Sequence, residues 1–92
     1  MSEAPETIGI IAGNGIYPET FVNAARKKVA GIKLVAAAFN GETEKSLEEK
    51  VNAIEWFRVG QLNKLIKFFK KQGVTKAIMV GQIAPKNLFD FR

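Results

Sequence analysis

Gly13, Asn14 and Gly15 interrupt an apolar stretch, following Ile8-Gly9-Ile10-Ile11-Ala12 and preceding Ile16-Tyr17-Pro18. Glycines permit positive φ and close backbone approach. The amides of Asn14, Gly15 and Ile16 can then converge on a sugar hydroxyl, a base edge or one phosphate oxygen. A second glycine loop, Val80-Gly81-Gln82, adds a side-chain amide that both donates and accepts. The chemistry on offer is the holding of a ligand. Histidine and cysteine are absent, which removes imidazole bases, thiolate nucleophiles, disulfides and the usual zinc ligands. No P-loop lysine-serine pair occurs, and most of the nine acidic residues sit in the leader or in the 42–50 stretch. No carboxylate cluster ends the first strand, as a metal site or phosphoacceptor would require. We therefore assign no catalytic residue and no metal ligand to this segment.

The first loop matches the dinucleotide fingerprint G-x-G-x-x-G only in part, because Pro18 stands at the third glycine. The acidic residue that would hold a ribose at the end of strand two is also missing: Ala38, Phe39 and Asn40 stand there, and Glu42 lies beyond Gly41. Both points argue against nicotinamide or flavin. Pro18 has no N–H, and Glu19 already places a negative charge in the first helical turn, an effect worth about 0.3–1 kcal/mol. A phosphate seated directly on the helix start is opposed, which leaves the loop amides as donors.

These loops need strands and helices to place them. Residues 1–6 read as a flexible lead-in, and strand one as Thr7 to Ala12. Phe21, Val22, Ala25 and Val29 recur at helical spacing until Gly31, so helix one runs from Pro18 to Ala30. Ile32 to Phe39 is short and apolar, as expected of a strand buried on both faces. Between Thr43 and Lys50 the charges cluster, and Ser46 with Glu49 could cap a turn or two of helix. Asn52 to Val59 reads as strand three, with Glu55 and Arg58 near a sheet edge or strand end.

Leu62, Leu65, Ile66 and Phe69 follow i, i+3, i+4, i+7, while Lys64, Lys67, Lys70 and Lys71 mostly avoid that stripe, and Gly73 ends this second helix. Phe68, Phe69 and Trp56 read as core. Strand four is Lys76 to Val80. Alternation of this kind predicts an α/β, Rossmann-like three-layer domain with a parallel sheet of about four strands and ligands at the strand carboxyl ends. The expected order is 3-2-1-4, in which the two glycine loops share one crevice; in the order 2-1-3-4 one strand would separate them.

With 92 residues and 47% hydrophobic composition, the chain holds one domain and one modest core, burying roughly 60–65% of its unfolded surface. No apolar run approaches the roughly 20 residues that span a bilayer, and the start lacks signal-peptide character, so the reading is cytoplasmic. The net charge of +5 could favour nucleic acid, anionic lipid or a phosphorylated ligand. The lysines of helix two lack interleaved aromatics, so they read as a solvated face and nucleic acid is not expected. Asn87 to Arg92 opens a new apolar segment without a cap, as though cut from something longer.

Four stretches together carry a resemblance: Ile8 to Pro18, Gly60-Gln61-Leu62-Asn63-Lys64-Leu65-Ile66, Val80-Gly81-Gln82-Ile83 and Leu88-Phe89-Asp90-Phe91-Arg92. In order and spacing they resemble the amino-terminal domain of the LpxI family, UDP-2,3-diacylglucosamine pyrophosphatases of lipid A biosynthesis in Gram-negative bacteria. The resemblance spans Thr7 to Arg92 and implies a Rossmann-like domain truncated before a carboxyl-terminal catalytic domain. It further implies hydrolysis of UDP-2,3-diacylglucosamine to UMP and lipid X with a divalent metal, Mg²⁺ or Mn²⁺, whose acidic ligands lie in that other domain.

Carried onto this sequence, the family's substrate contacts fall at Gly15 and at Val80-Gly81, with Gly13, Asn14 and Gln82 beside them. Asn14 stands where the family often has glycine or a small residue. The implied partners are the UDP-diacylglucosamine and the carboxyl-terminal domain, and an acylated substrate is compatible with peripheral inner-membrane contact; homo-oligomer formation stays open. The competing reading is a free-standing Rossmann-like module that binds a nucleotide or anion, or docks a partner, without catalysis.

Overall fold

The computed structural model describes residues 6–81. The expectations for residues 1–5, for Gln82 and for the apolar segment 87–92 lie outside the described residues. Strands β1 (Thr7–Ala12), β2 (Lys33–Phe39), β3 (Ala53–Phe57) and β4 (Lys76–Val80) form one parallel sheet in the order β3-β2-β1-β4. Helix α1 (Tyr17–Lys28) links β1 to β2, a short 3₁₀ turn (Lys45–Glu49) lies between β2 and β3, and α2 (Leu62–Lys71) leads to β4.

Alternation along each strand sends successive side chains to opposite faces, and two cores result. Ile10, Ala12, Leu34 and Ala36 pack with Val22 of α1 and Leu47 of the 3₁₀ turn on one face. Val35, Ala37, Phe39 and Phe57 pack with Leu65 and Phe69 of α2 on the other. Burial of each of the larger side chains among them, the Ile, Leu, Val and Phe, contributes about 1.5–3 kcal/mol. Every residue of β2 after Lys33 is buried, as its continuous apolar run requires of a central strand. The chain steps outward from β1 to β3 with its connections on one face, then returns past β1 to β4 with α2 on the other. β1 and β4 therefore flank the topological switch point, whose carboxyl end is the ligand crevice of open α/β sheets.

At the opposite end of the sheet, the Arg26 guanidinium donates to the carbonyls of Ile32 and Lys50 and to Asn52 Oδ1, which also accepts the Leu34 amide. This network explains why β3 starts at Ala53: the Asn52 side chain is occupied with β2. Helix α2 ends in a Schellman motif, with Val74 N–H on the Phe69 carbonyl and Gly73 N–H on that of Lys70. Gly73 supplies the required positive φ of 77°.

Several expectations need correcting. Helix α1 stops at Lys28 because Val29 turns extended, and Val29 is exposed. The helical stripe of α2 is only half covered: Leu65 and Phe69 are buried, whereas Leu62 and Ile66 are exposed. Phe68 packs on Phe57, with ring centroids 5.9 Å apart, and this tilts the covered face of α2 towards β3. On β4, Ile78 and Met79 are also exposed, on opposite faces of the sheet. Ser46 caps nothing: its hydroxyl donates to the Glu19 carboxylate, and the 3₁₀ turn has Glu44 at its N-cap position.

Candidate functional site

The crevice is built by the carboxyl ends of β1 and β4. Their register pairs Ala12 with Val80, and one step further the Gly13 amide donates to the Val80 carbonyl at 2.7 Å. The two glycine loops are thereby in direct contact. A Cβ on Gly81 would stand 2.9 Å from the Asn14 carbonyl oxygen and 3.1 Å from both Gly13 Cα and its carbonyl carbon. Only glycine fits this backbone-on-backbone approach, and Gly81 also has a φ of +102°. Gly15 has a φ of +87° too, but the space where its side chain would point holds nothing within 4 Å. Gly81 closes the floor of the crevice, and Gly15 leaves its mouth open.

The loop after β2 supplies a third wall. Thr43 is buried, and its hydroxyl accepts the Phe39 amide at 2.8 Å while donating to the Ala12 carbonyl at 2.6 Å. The amides of Glu42 and Thr43 both donate to the Phe39 carbonyl, and Gly41, at φ +82°, reverses the chain. These bonds fold Glu42 back over the crevice, where its Oε1 accepts from Asn14 Nδ2 at 3.4 Å. Here the fold overturns an expectation. An acidic residue does stand near the end of β2, delivered by a turn three residues beyond the strand rather than by the strand itself.

At the start of α1, Ile16 occupies the N-cap position with no side-chain cap. The amides of Gly15 and Ile16 lie at this loop–helix junction. Ile16 and Tyr17 are exposed, forming an apolar lip beside those amides. Glu19, in the first turn, takes the Ser46 hydroxyl and lies 3.9 Å from Lys50 Nζ. Its charge is tied to the 3₁₀ segment and to the positive end of α1, which keeps that end from being a free anion site.

Beyond Glu42 lies a cavity of about 640 Å³, lined by Asn40, Gly41, Glu42, Thr43, Glu44, Lys45, Glu48 and Trp56. Trp56 pairs in register with Ala38, so it sits on the α1 face of the sheet. It is partly exposed, unlike the core position expected for it.

Of the residues singled out from sequence, Gly13, Asn14, Gly15, Val80 and Gly81 meet at one crevice; Gln82 lies outside the described residues. Sequence reading missed Glu42, Thr43 and Trp56. A signal existed for the first two: Asn40-Gly41 at the end of an apolar strand marks a turn that redirects whatever follows.

The divalent metal implied by the resemblance finds no set of ligands here. Among the described residues, no three acidic side chains come together in a way that could hold an ion, and no step below is routed through one on this chain. Also among the described residues, no helix is long and apolar enough to cross a membrane.

Among curated proteins, and likewise among solved structures, no significant match to the chain was found. A family model described as the LpxI N-terminal domain matches residues 7–92. That stretch includes β1, β4 and both glycine loops, and it takes in all of the sheet. The chain belongs to the LpxI N-terminal domain family.

Proposed function

We propose that this chain is the substrate-binding amino-terminal domain of a metal-dependent pyrophosphatase of lipid A biosynthesis. The reaction is addition of water across the pyrophosphate of UDP-2,3-diacylglucosamine, giving UMP and 2,3-diacylglucosamine 1-phosphate, lipid X. The observation that carries the binding role is the contact of the two glycine loops at the β1/β4 switch point, with Gly13 bonded to Val80 and Gly81 seated on Gly13 and Asn14. There the amides of Gly15 and Ile16 offer hydrogen bonds to phosphate or sugar oxygens. Ile16 and Tyr17 offer apolar surface to an acylated sugar.

Water activation and the Mg²⁺ or Mn²⁺ ion belong, on this reading, to a carboxyl-terminal domain. Family membership supports it, the matching model being that of an amino-terminal domain. The test is to titrate this chain with UDP-2,3-diacylglucosamine in detergent micelles, with Mg²⁺ present, following backbone amide resonances and UMP release together. The expected result is saturable shifts at Gly13, Gly15 and Gly81 without UMP. Release of UMP by the chain alone would overturn the division of labour, and unmoved glycine amides would overturn substrate binding.

A further inference from the structure

We infer that the cavity between Glu42 and Trp56 is a nucleoside subsite, taking the base against Trp56 and a ribose hydroxyl on the Glu42 carboxylate. The inference rests on the reading above for the identity of the nucleoside, uridine, and goes beyond it in assigning a place and residues to that arm of the ligand.

Three observations support the assignment. The cavity, at about 640 Å³, falls within the range of small-molecule pockets, roughly 300–1,000 Å³. It adjoins the glycine crevice through a physical link, because Glu42 lines the cavity and also accepts from Asn14 of the first glycine loop. One ligand can therefore lie across both. The charge is also of the wrong sign for phosphate: among the described residues, Glu42, Glu44 and Glu48 face a single ammonium, that of Lys45. An extended ligand with an anionic middle and an uncharged end is oriented by this difference, its phosphates at the loop amides and its neutral end among the carboxylates. That end must donate hydrogen bonds, since ionised carboxylates only accept. Ribose hydroxyls and the ring N–H of uracil do so, and Asn40 can both donate and accept at a base edge. Trp56 supplies the aromatic wall on which a base stacks.

Trp56 is the only tryptophan of the chain, so its emission reports on the cavity directly. The experiment titrates the chain with UMP, with uridine and with inorganic pyrophosphate, following Trp56 emission and the glycine amide resonances in parallel. UMP and uridine are expected to change the emission saturably, while pyrophosphate moves only the glycine amides. By calorimetry, Trp56→Leu should weaken UMP about tenfold while Trp56→Phe stays within about threefold, as stacking requires. Glu42→Ala should abolish the advantage of uridine over 2′,3′-dideoxyuridine, which we expect to be about tenfold in the unaltered chain.

If UMP shifts the glycine amides while Trp56 emission stays constant and Trp56→Leu binds normally, the subsite is refuted and the glycine crevice stands. Quenching of Trp56 by pyrophosphate would also refute it. If UMP binds nowhere on the chain, the subsite and the proposed function fail together.

Discussion

Gly15 and Gly81 share a backbone conformation and differ in surroundings, so alanine at each separates two physical costs. Both have positive φ, +87° and +102°, where an L side chain is strained by roughly 1–2 kcal/mol. Replacing glycine also stiffens the unfolded chain, which returns about 0.4–1 kcal/mol. Gly15→Ala therefore lowers stability by about 1 kcal/mol or less, since its Cβ meets nothing within 4 Å. Gly81→Ala carries the same strain and adds a methyl 2.9 Å from the Asn14 carbonyl oxygen and 3.1 Å from two backbone atoms of Gly13. Backbone cannot swing aside as a side chain can, and overpacking of this kind costs about 1–3 kcal/mol. The expected total for Gly81→Ala is about 2–4 kcal/mol.

Urea unfolding followed by far-ultraviolet circular dichroism measures the difference. With a slope of about 1.5 kcal/mol per molar, a gap of about 2 kcal/mol separates the two midpoints by more than about 1 M. The amides of Gly13 and Asn14 should shift in folded Gly81→Ala and stay in place in Gly15→Ala. Coincident midpoints with undisturbed Gly13 resonances would refute the contact between the two loops. The shared crevice would then go with it, since that contact is its floor.

Thr43→Val keeps the shape of the side chain but orphans the Phe39 amide and the Ala12 carbonyl. Unsatisfied buried groups cost about 1–3 kcal/mol each, so urea unfolding should show a loss of about 2 kcal/mol or more, with Thr43→Ser restoring most of it. In β1, a Cβ on Gly9 would come within 2.9 Å of both Phe69 Cζ and Val74 Cγ1. Gly9→Ala should therefore destabilise by about 1–2 kcal/mol. The cost should shrink in combination with Phe69→Leu, and strict additivity of the two changes would refute the close packing of α2 on β1.

Why some of this was legible from the residues and some was not has a physical cause. β1 and β4 lie at the positions read from their apolar runs, because a short apolar run closed by glycine leaves few other ways to satisfy a buried backbone. Alternation and right-handed crossovers pruned the topologies to two orders, 3-2-1-4 and 2-1-3-4, and the fold has the first, which was the one expected. What escaped was set by contacts between residues far apart in sequence. Ser46 looked like a local cap and instead serves Glu19, 27 residues away. Leu62 and Ile66 fit a helical stripe, but periodicity cannot say which part of a stripe has a neighbour, and here the Phe68–Phe57 contact decides it.

Glu42 makes the same point with consequences for function. Counting along the chain placed it outside the site, since the strand had ended and Gly41 intervened. In space, the positive φ of Gly41 and the two bonds of the Thr43 hydroxyl fold the loop back, so that its carboxylate reaches the Asn14 amide. A carboxylate thus reaches this strand end through a turn, and the sequence argument that no acid stands there loses its premise. The absence of the third glycine at Pro18 and the occupation of the helix start by Glu19 keep their force. On the proposed reading, a crevice with Glu42 as its ribose acid and no free helix terminus would hold its phosphates on loop amides alone. That weaker grip suits a domain that presents its ligand to another more than one that encloses it.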